Sequence, residues 1–555
     1  MSYVVGDYLL DRLHELGVTE IFGVPGDFNL QFLDHIVAHP NIEWVGSANE
    51  LNAGYAADGY ARLRGIGAVV TTYGVGELSA VNAIAGSYAE HVPVVHIVGV
   101  PAKDIQANHR VIHHTLGDGD FHHFRRIAAE VTCAQADLGA ADACQEIDRV
   151  LNSVRVHRRP GYLMLATDTA RLEVEPPAAP LAPPADFSSA GARVAFAQAA
   201  REFLAGRQVA VLADVFVNRV GATDELRALI AARALPHATL AWGKTVVDES
   251  APNFVGVYTG AASPESVRAA VEDSERLVTV GVQYTDSITA GFSHRIDARR
   301  TIDIGPERTV IGGVDAFAPL SLTAALEILT ALAGEFADPV QAPHEDVEAR
   351  PLTTPPDTPL SQAALWPAVA AALGNNNLVV ADQGSAFFGL ATLRMPAGIT
   401  FLGQPLWGSI GYALPAALGA GLACPDRRTV LVIGDGAAQL TIQELGTWIQ
   451  RRLTGVIILV DNAGYAIERA IHGPEAQYND IAPWRWIFLP HAFGGDDKTV
   501  LTLRATTVGE LQDCLKAATA EQNRLVFLQV VTGKTDYPPL VSDIAAALTR
   551  ANTRS

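Results

Sequence analysis

Gly434-Asp435-Gly436 and, with twenty-five residues between, Asn462 are the residues whose types and spacing first suggest chemistry. An apolar β-branched run at 429–433 leads into the first group, and a second at 456–460 ends at Asp461-Asn462-Ala463-Gly464. Loops just past the carboxyl ends of buried strands are where open α/β sheets place their ligands. Asp435 and the Asn462 amide offer two hard oxygens, and the Gly464 carbonyl a third, a donor set suited to Mg2+. Gly436 permits close approach to phosphate oxygens, and the helical pattern at 437–451 would turn free N–H groups toward them. Alone, Gly-Asp-Gly reads as a turn and Asp-Asn as a strand-end loop; only the pairing is specific.

Other candidates lie near the N-terminus. Glu50 follows an extended segment (42–46) and opens a helical pattern (51–62), where an acidic residue suits the helix dipole. His113-His114 is followed closely by His122 and His123, four of sixteen histidines within eleven positions. Adjacent side chains diverge and neither cysteine nor HExxH spacing accompanies them, so no zinc site is expected. Asp27 sits in the turn Gly23-Val24-Pro25-Gly26-Asp27, unremarkable for an aspartate. Glu468 opens a further helical segment and reads, by itself, as a solvated carboxylate.

The elements that must position these residues form three groups. Residues 173–184 are Pro-rich, and 338–360 contain Pro339, Pro343, Pro351, Pro355, Pro356 and Pro359; neither stretch holds a regular helix or central strand. Domains are expected at 1–172, 190–337 and 360–555, the last ending in a helix. Near-continuous apolar runs at 68–72, 94–98, 209–212, 276–280, 378–380, 429–433 and 456–460 imply strands buried on both faces. The fold class is α/β, with three doubly wound, mainly parallel sheets. A net charge of −20 excludes a nucleic-acid partner. No apolar stretch is long enough for a bilayer, and no signal peptide is read, so a cytoplasmic protein is expected. Cys133, Cys144, Cys424 and Cys514 are scattered and read as reduced thiols.

Further motifs are Phe22-Gly23-Val24-Pro25-Gly26-Asp27, Ala48-Asn49-Glu50-Leu51-Asn52-Ala53, Leu78-Ser79-Ala80-Val81-Asn82, His113-His114-Thr115-Leu116-Gly117, Leu406-Trp407-Gly408-Ser409-Ile410-Gly411 and Gly464-Tyr465-Ala466-Ile467-Glu468-Arg469. With the Gly434–Asn462 pairing, they resemble the thiamine-diphosphate enzymes of the pyruvate decarboxylase branch over essentially the whole chain. The resemblance is greatest to indolepyruvate, phenylpyruvate and branched-chain 2-oxo acid decarboxylases. It implies a pyrimidine-binding domain, a middle domain without cofactor and a diphosphate-binding domain, with thiamine diphosphate and Mg2+ as cofactors. It implies non-oxidative decarboxylation of a 2-oxo acid to an aldehyde and CO2 through an enamine on the cofactor. Glu50 matches the carboxyl that bonds the pyrimidine, His113 and His114 the proton-transferring pair, Asp27 their acid–base partner, and Glu468 a carboxyl near the departing CO2. Asp435, Asn462 and Gly464 match the metal ligands. Ser385, Gly436 and Ala437 match the diphosphate segments, Gly408 and Ile410 the aminopyrimidine support, and Val75 and Glu77 its flank. Such enzymes build each site from two subunits, so a homodimer or homotetramer is implied. The alternatives are a carboligase of acetolactate synthase type and a catalytically silent nucleotide-binding or scaffolding relative.

Ser287, Gln383, Phe387, Phe388 and Ile467 align with the substrate pocket, and Ile544 and Leu548 with its lid. This lining suggests a side chain longer than methyl; Phe387 would narrow the pocket against indole, favouring branched aliphatic or phenyl substrates. Ala386 and Ala437 replace hydroxyl residues of the family pattern, and Asp461 replaces an Asn, adding negative charge beside the metal loop.

Overall fold

The computed structural model describes residues 2–339 and 354–553, with side chains through residue 546. Pro343 and Pro351 of the second linker and the side chain of Leu548 lie outside the described residues. Ile544, the other lid candidate, is 6 % exposed in the apolar core.

The first sheet contains β1 (Glu20–Gly23), β2 (Glu43–Gly46), β3 (Gly67–Thr72), β4 (Val94–Val100), β5 (Ala134–Asp137) and β6 (Gly161–Ala166). Its order is β2-β1-β3-β4-β6-β5, parallel throughout. The second contains β7 (Val209–Ala213), β8 (His237–Thr239), β9 (Phe254–Val257), β10 (Arg276–Val280), β11 (Thr301–Ile304), β12 (Thr309–Ile311) and β13 (Asp315–Phe317). Its order is β13-β12-β11-β10-β7-β8-β9, and only β12 against β11 and β13 is antiparallel. Gly312 and Gly313, both at positive φ, turn the chain back there. The third contains β14 (Leu378–Ala381), β15 (Thr400–Leu402), β16 (Thr429–Gly434), β17 (Val456–Asp461), β18 (Val500–Ala505) and β19 (Leu525–Val531), in the parallel order β15-β14-β16-β17-β19-β18. β3, β4 and β14 are buried at every residue, as helices on both faces of a sheet require.

Strand order reverses between β1 and β3, and again between β14 and β16. At such a switch point the outgoing loops diverge and leave a crevice beyond the carboxyl ends. Asp27 follows β1, Glu50 follows β2, Val75 follows β3, and His113 and His114 lie in the long connection after β4. In the third sheet Gln383 and Ser385 follow β14, Asp435 closes onto β16, and Asn462 follows β17. The fold therefore gathers two constellations from residues spread along the chain.

The helical pattern read at 437–451 is broken into Asp435–Thr441, a 3-10 turn at Ile442–Glu444, and Leu445–Gln450. The break has a polar cause: the Thr441 hydroxyl donates to the Gly411 carbonyl at 2.7 Å, and Glu444 accepts the Ala48 N–H at 3.2 Å. Helix Glu50–Arg64 packs on helix Ala413–Ala423 at backbone contact. A Cβ on Gly419 would stand 1.9 Å from the Ala56 carbonyl oxygen, and one on Gly59 2.1 Å from that of Ala416. Beside them Arg62 donates to Asp58 at 2.6 Å and to the Gly403 carbonyl at 2.9 Å. Fully buried Glu90 accepts the Trp242 indole N–H at 2.8 Å and the Leu406 N–H at 3.0 Å, tying all three sheets' domains together. Among the described residues no helix is long and apolar enough to cross a membrane.

Candidate active site

At the first switch point Asn29 fixes the turn that carries Asp27: its side chain accepts the Gly26 N–H at 2.9 Å and donates to the Val24 carbonyl at 3.1 Å. Asp27 Oδ2 lies 2.6 Å from His113 Nε2, and Oδ1 lies 3.9 Å from His114 Nε2. Phe28 stacks on the His113 ring at 5.0 Å and meets His114 edge-on at 6.1 Å. His114 takes a positive φ of 64°, a conformation uncommon without glycine, and this lets two adjacent histidines turn toward one carboxylate. The divergence expected of neighbours in regular structure is thereby undone. His122 and His123 face a different set of carboxylates, Asp137 and Asp118 respectively.

Glu50 is the first residue of its helix, capped by Asn49, whose side chain accepts the Asn52 N–H at 2.8 Å. Its carboxylate has no hydrogen-bond partner among the described residues. It lies across Gly76, where a Cβ would stand 3.0 Å from Glu50 Oε1. Val75 opens the helix Val75–Ala89 and is 54 % exposed.

At the other switch point Asp435 is 1 % exposed. Oδ2 accepts the N–H groups of Asn462 at 3.1 Å and Gly464 at 3.2 Å, and Oδ1 accepts that of Gly436 at 2.7 Å. Burial, with the charge of Asp461 adding to it, pushes the Asp435 carboxyl up against these hydrogen bonds. One end of the Asn462 amide stands 3.1 Å from Asp435 Oδ1 and 2.9 Å from the Gly464 carbonyl oxygen. Read as oxygen, that atom completes three oxygens at about the 3 Å separations that neighbouring ligands of an octahedral Mg2+ have. The loop conformation demands glycine at 464: φ is 140°, and a Cβ would meet the Asn479 carbonyl oxygen at 2.0 Å. Gly436 is required because the Tyr465 ring lies against it, 2.6 Å from a Cβ.

Asp435, Gly436, Ala437, Asn462, Gly464, Ser385, Gln383, Ile410, Ile467 and Glu468 line one cleft. The Ser385 hydroxyl and Gln383 Oε1 are buried there without a hydrogen-bond partner. A hydroxyl is thus present despite Ala386 and Ala437. Asp461, the unusual acid, is held by the Gln529 amide at 2.6 Å. Gly408 adopts φ 67° with Gln383 close by. Phe387 and Phe388 do not line this cleft; Phe387 is 1 % exposed, packed on Phe401 and Gly403. Ser287 lies outside it too, donating to the Pro405 carbonyl at 3.3 Å. Asp27, Glu50, Val75, His113 and His114 belong to the other surface, not to this cleft.

Two positioning residues had no assigned role in the sequence. Asp382 is 1 % exposed and accepts the N–H groups of Gly411 at 3.1 Å and Ala413 at 3.0 Å, anchoring the segment that carries Gly408 and Ile410. Burial pushes its carboxyl up to about 7. Its signal was an aspartate at the end of a buried strand. Arg469, 2 % exposed, donates to the carbonyls of Ala463 and Asn479, both at 2.9 Å, bracing the Asn462–Gly464 loop from a helix turn away.

Three family descriptions match consecutive parts of the chain: thiamine pyrophosphate enzyme N-terminal TPP binding domain at residues 4–123, central domain at 196–332 and C-terminal TPP binding domain at 382–530. Three α/β sheets, two of them with switch-point crevices, match this class, and the chain belongs to the thiamine pyrophosphate enzyme family. Within it the chain falls among the 2-oxo acid decarboxylases, which are carboxy-lyases. It is 57 % identical to an alpha-keto-acid decarboxylase of Mycobacterium ulcerans over 98 % of this chain and 96 % of that protein. It is 57 % identical to one of Mycobacterium tuberculosis (98 % and 97 % covered) and 56 % to one of Mycobacterium leprae (99 % and 95 %). In fold it is similar to a thiamine diphosphate-dependent 4-hydroxybenzoylformate decarboxylase of Rhodococcus jostii, with a TM-score of 0.76 at 20 % identity over 96 % of this chain and 99 % of that one.

Proposed function

We propose that this protein, with thiamine diphosphate and Mg2+, decarboxylates a 2-oxo acid bearing a branched or aromatic side chain to an aldehyde and CO2, without oxidation. The observation that carries the reading is the 2.6 Å contact of Asp27 with His113, with His114 beside it: an acid–base group placed at a ligand crevice, in a chain whose other crevice converges oxygens. When bound, thiamine diphosphate supplies the electron sink that loss of CO2 needs. Asp435, Asn462 and Gly464 would hold Mg2+, and Ser385 with the segment at Gly436 and Ala437 would hold the diphosphate. Glu50 would hold the pyrimidine through its unpartnered carboxyl, against Val75, Gly408 and Ile410. His113 Nε2 and Asp27 Oδ2, 2.6 Å apart, would pass a proton to and from the reacting substrate, with His114 and Glu468 completing the polar lining.

The cleft at Asp435 encloses about 100 Å³, where small-molecule sites run to roughly 300–1,000 Å³. The acid–base group on a separate surface supplies the missing wall if two copies face each other, so we assign a homodimer or homotetramer with sites between subunits. Exposed Val75, Leu116, Leu406 and Trp407 near the two half-sites support that burial. The four cysteines are free, in keeping with a reducing, cytoplasmic setting.

Ile467, Ile410 and Ala386 make the cleft apolar around Gln383, which supports a substrate side chain larger than methyl. With Phe387 turned into the core, its expected exclusion of indole no longer has a basis. The test is steady-state aldehyde formation from pyruvate, 2-oxoisovalerate, 2-oxoisocaproate, phenylpyruvate and indolepyruvate, with and without added thiamine diphosphate and Mg2+. Highest kcat/KM for a branched or aromatic acid is expected; highest kcat/KM for pyruvate would overturn the substrate assignment, and turnover unaffected by removing both cofactors would overturn the mechanism.

A further inference from the structure

We propose that Asp27, His113 and His114 also form a second metal site, one that takes a borderline divalent transition ion such as Zn2+ and inhibits the enzyme when filled. Their ligand atoms, one carboxylate oxygen and two imidazole nitrogens, all lie within 4.8 Å of one another. Two histidines and one carboxylate with open remaining positions suit Zn2+, Co2+ or Fe2+, whereas Mg2+ prefers all-oxygen sets. The oxygens at Asp435 and this trio therefore sort two kinds of ion by hardness.

The geometry is close to that of a filled site. Tetrahedral ligands bonded at 2.0–2.1 Å lie about 3.3 Å apart; here Oδ2 of Asp27 stands 2.6 Å from His113 Nε2 and Oδ1 stands 3.9 Å from His114 Nε2, and one ligand atom from each residue lies within 4.8 Å of the other two. Phe28 holds the two rings at 72° to each other with centroids 4.7 Å apart. The side chains are 31–59 % exposed, His114 least and His113 most, with Asp27 at 47 %, so small rotations bring both Nε2 atoms onto one ion. Binding replaces the hydrogen bond between His113 Nε2 and Asp27 Oδ2: its proton leaves to solvent, and the ion takes a lone pair from each atom. Proton transfer through the group then stops.

The neighbouring His122 and His123 offer a control of similar composition that lacks one property. Two of the three carboxylates there are already held by cations: Arg126 lies 2.7 Å from Asp120, and Lys103 bonds Asp137, while Asp118 meets His123 at 2.6 Å. An ion joining His122 to Asp137, or His123 to Asp120, must displace an ion pair. The carboxylate of Asp27 has only the two histidines as partners among the described residues.

The test is calorimetric titration of Zn2+ into the full-length, Mg2+-saturated protein, with Co2+ absorption spectra as a second readout and thermal unfolding to verify folding. One Zn2+ per chain is expected at micromolar Kd, weakened at least tenfold in His113→Ala, His114→Ala and Asp27→Asn, and changed less than twofold in His123→Ala. Co2+ should show d–d bands of a nitrogen-containing site in wild type and lose them in His114→Ala. Zn2+ should inhibit aldehyde formation in millimolar Mg2+, with EDTA followed by fresh Mg2+ restoring it. Unchanged Zn2+ affinity in the three variants, loss of the site in His123→Ala, or displacement of Zn2+ by millimolar Mg2+ would each overturn the assignment.

Discussion

Glu77 Oε1 accepts the Gly74 N–H across 2.8 Å, while Oε2 accepts the Tyr162 hydroxyl at 2.6 Å. The first contact holds Gly74 at φ 68° and ψ −91°, with its α-carbon against the His114 backbone; a Cβ there would stand 2.1 Å from the His114 carbonyl oxygen. Two residues on, Gly76 lies under the Glu50 carboxylate. One buried carboxyl thus sets the spacing between His114 and Glu50.

Burial pushes Glu77 from 4.5 up to about 7, against its two hydrogen bonds. Between those pH values the folded protein holds a proton that the unfolded chain releases, so stability should fall as pH rises through that window, by on the order of 3 kcal/mol. Asp214 and Asp382, also raised to about 7, act with the same sign. In Glu77→Gln, urea unfolding at pH 5 and pH 7.5 should show a smaller difference than in wild type. An undiminished difference would assign the slope to the other buried carboxyls that burial raises, Asp214, Asp382 and Asp435 among them.

Glu50→Gln should reduce turnover at least 100-fold, the scale of a lost proton-transfer group. The fold should survive, since the carboxylate is half-exposed and has no hydrogen-bond partner among the described residues. Coupled aldehyde assays beside thermal unfolding check both; turnover near wild type would remove Glu50 from the mechanism.

Asp435→Asn replaces the charged acceptor at the converging oxygens. Mg2+ with thiamine diphosphate should raise the Tm of wild type through preferential binding to the folded state, while the variant should show little shift at the same concentrations. An equal shift would place the ions elsewhere.

Gly419→Ala should cost about 3 kcal/mol or more in urea unfolding, because its Cβ would meet the Ala56 carbonyl of the facing helix rather than a movable side chain. Gly191→Ala, at an exposed helix position where a Cβ meets nothing within 4 Å, should instead stabilise by about 0.4–1 kcal/mol. The contrast separates close packing from helix propensity. Equal effects would mean that the two helices part easily.

Much of the fold was legible because fully buried parallel strands write themselves as apolar runs, and β3, β4, β14, β16 and β17 all fall on such runs. The short β12 and β13 left no such mark, being three-residue strands at one end of their sheet with polar positions. Helix lengths were less legible: 437–451 has one apolar period, but Thr441 and Glu444 spend their polar groups on Gly411 and Ala48, contacts that no local pattern encodes. Phe387 was placed in the pocket by its position in a motif, whereas its ring fits beside Gly403 and Phe401.

Residue type and order determined the oxygen donors at Asp435 and Asn462, the carboxyl at Glu50 and the adjacent imidazoles at 113 and 114, since donor chemistry belongs to the side chain itself. Where those donors point was settled by tertiary structure. His114 turns toward Asp27 only because a positive φ and the Phe28 ring put it there. The two constellations stand apart because each needs the carboxyl ends of a different sheet, and strand order is a long-range property that sequence spacing does not carry.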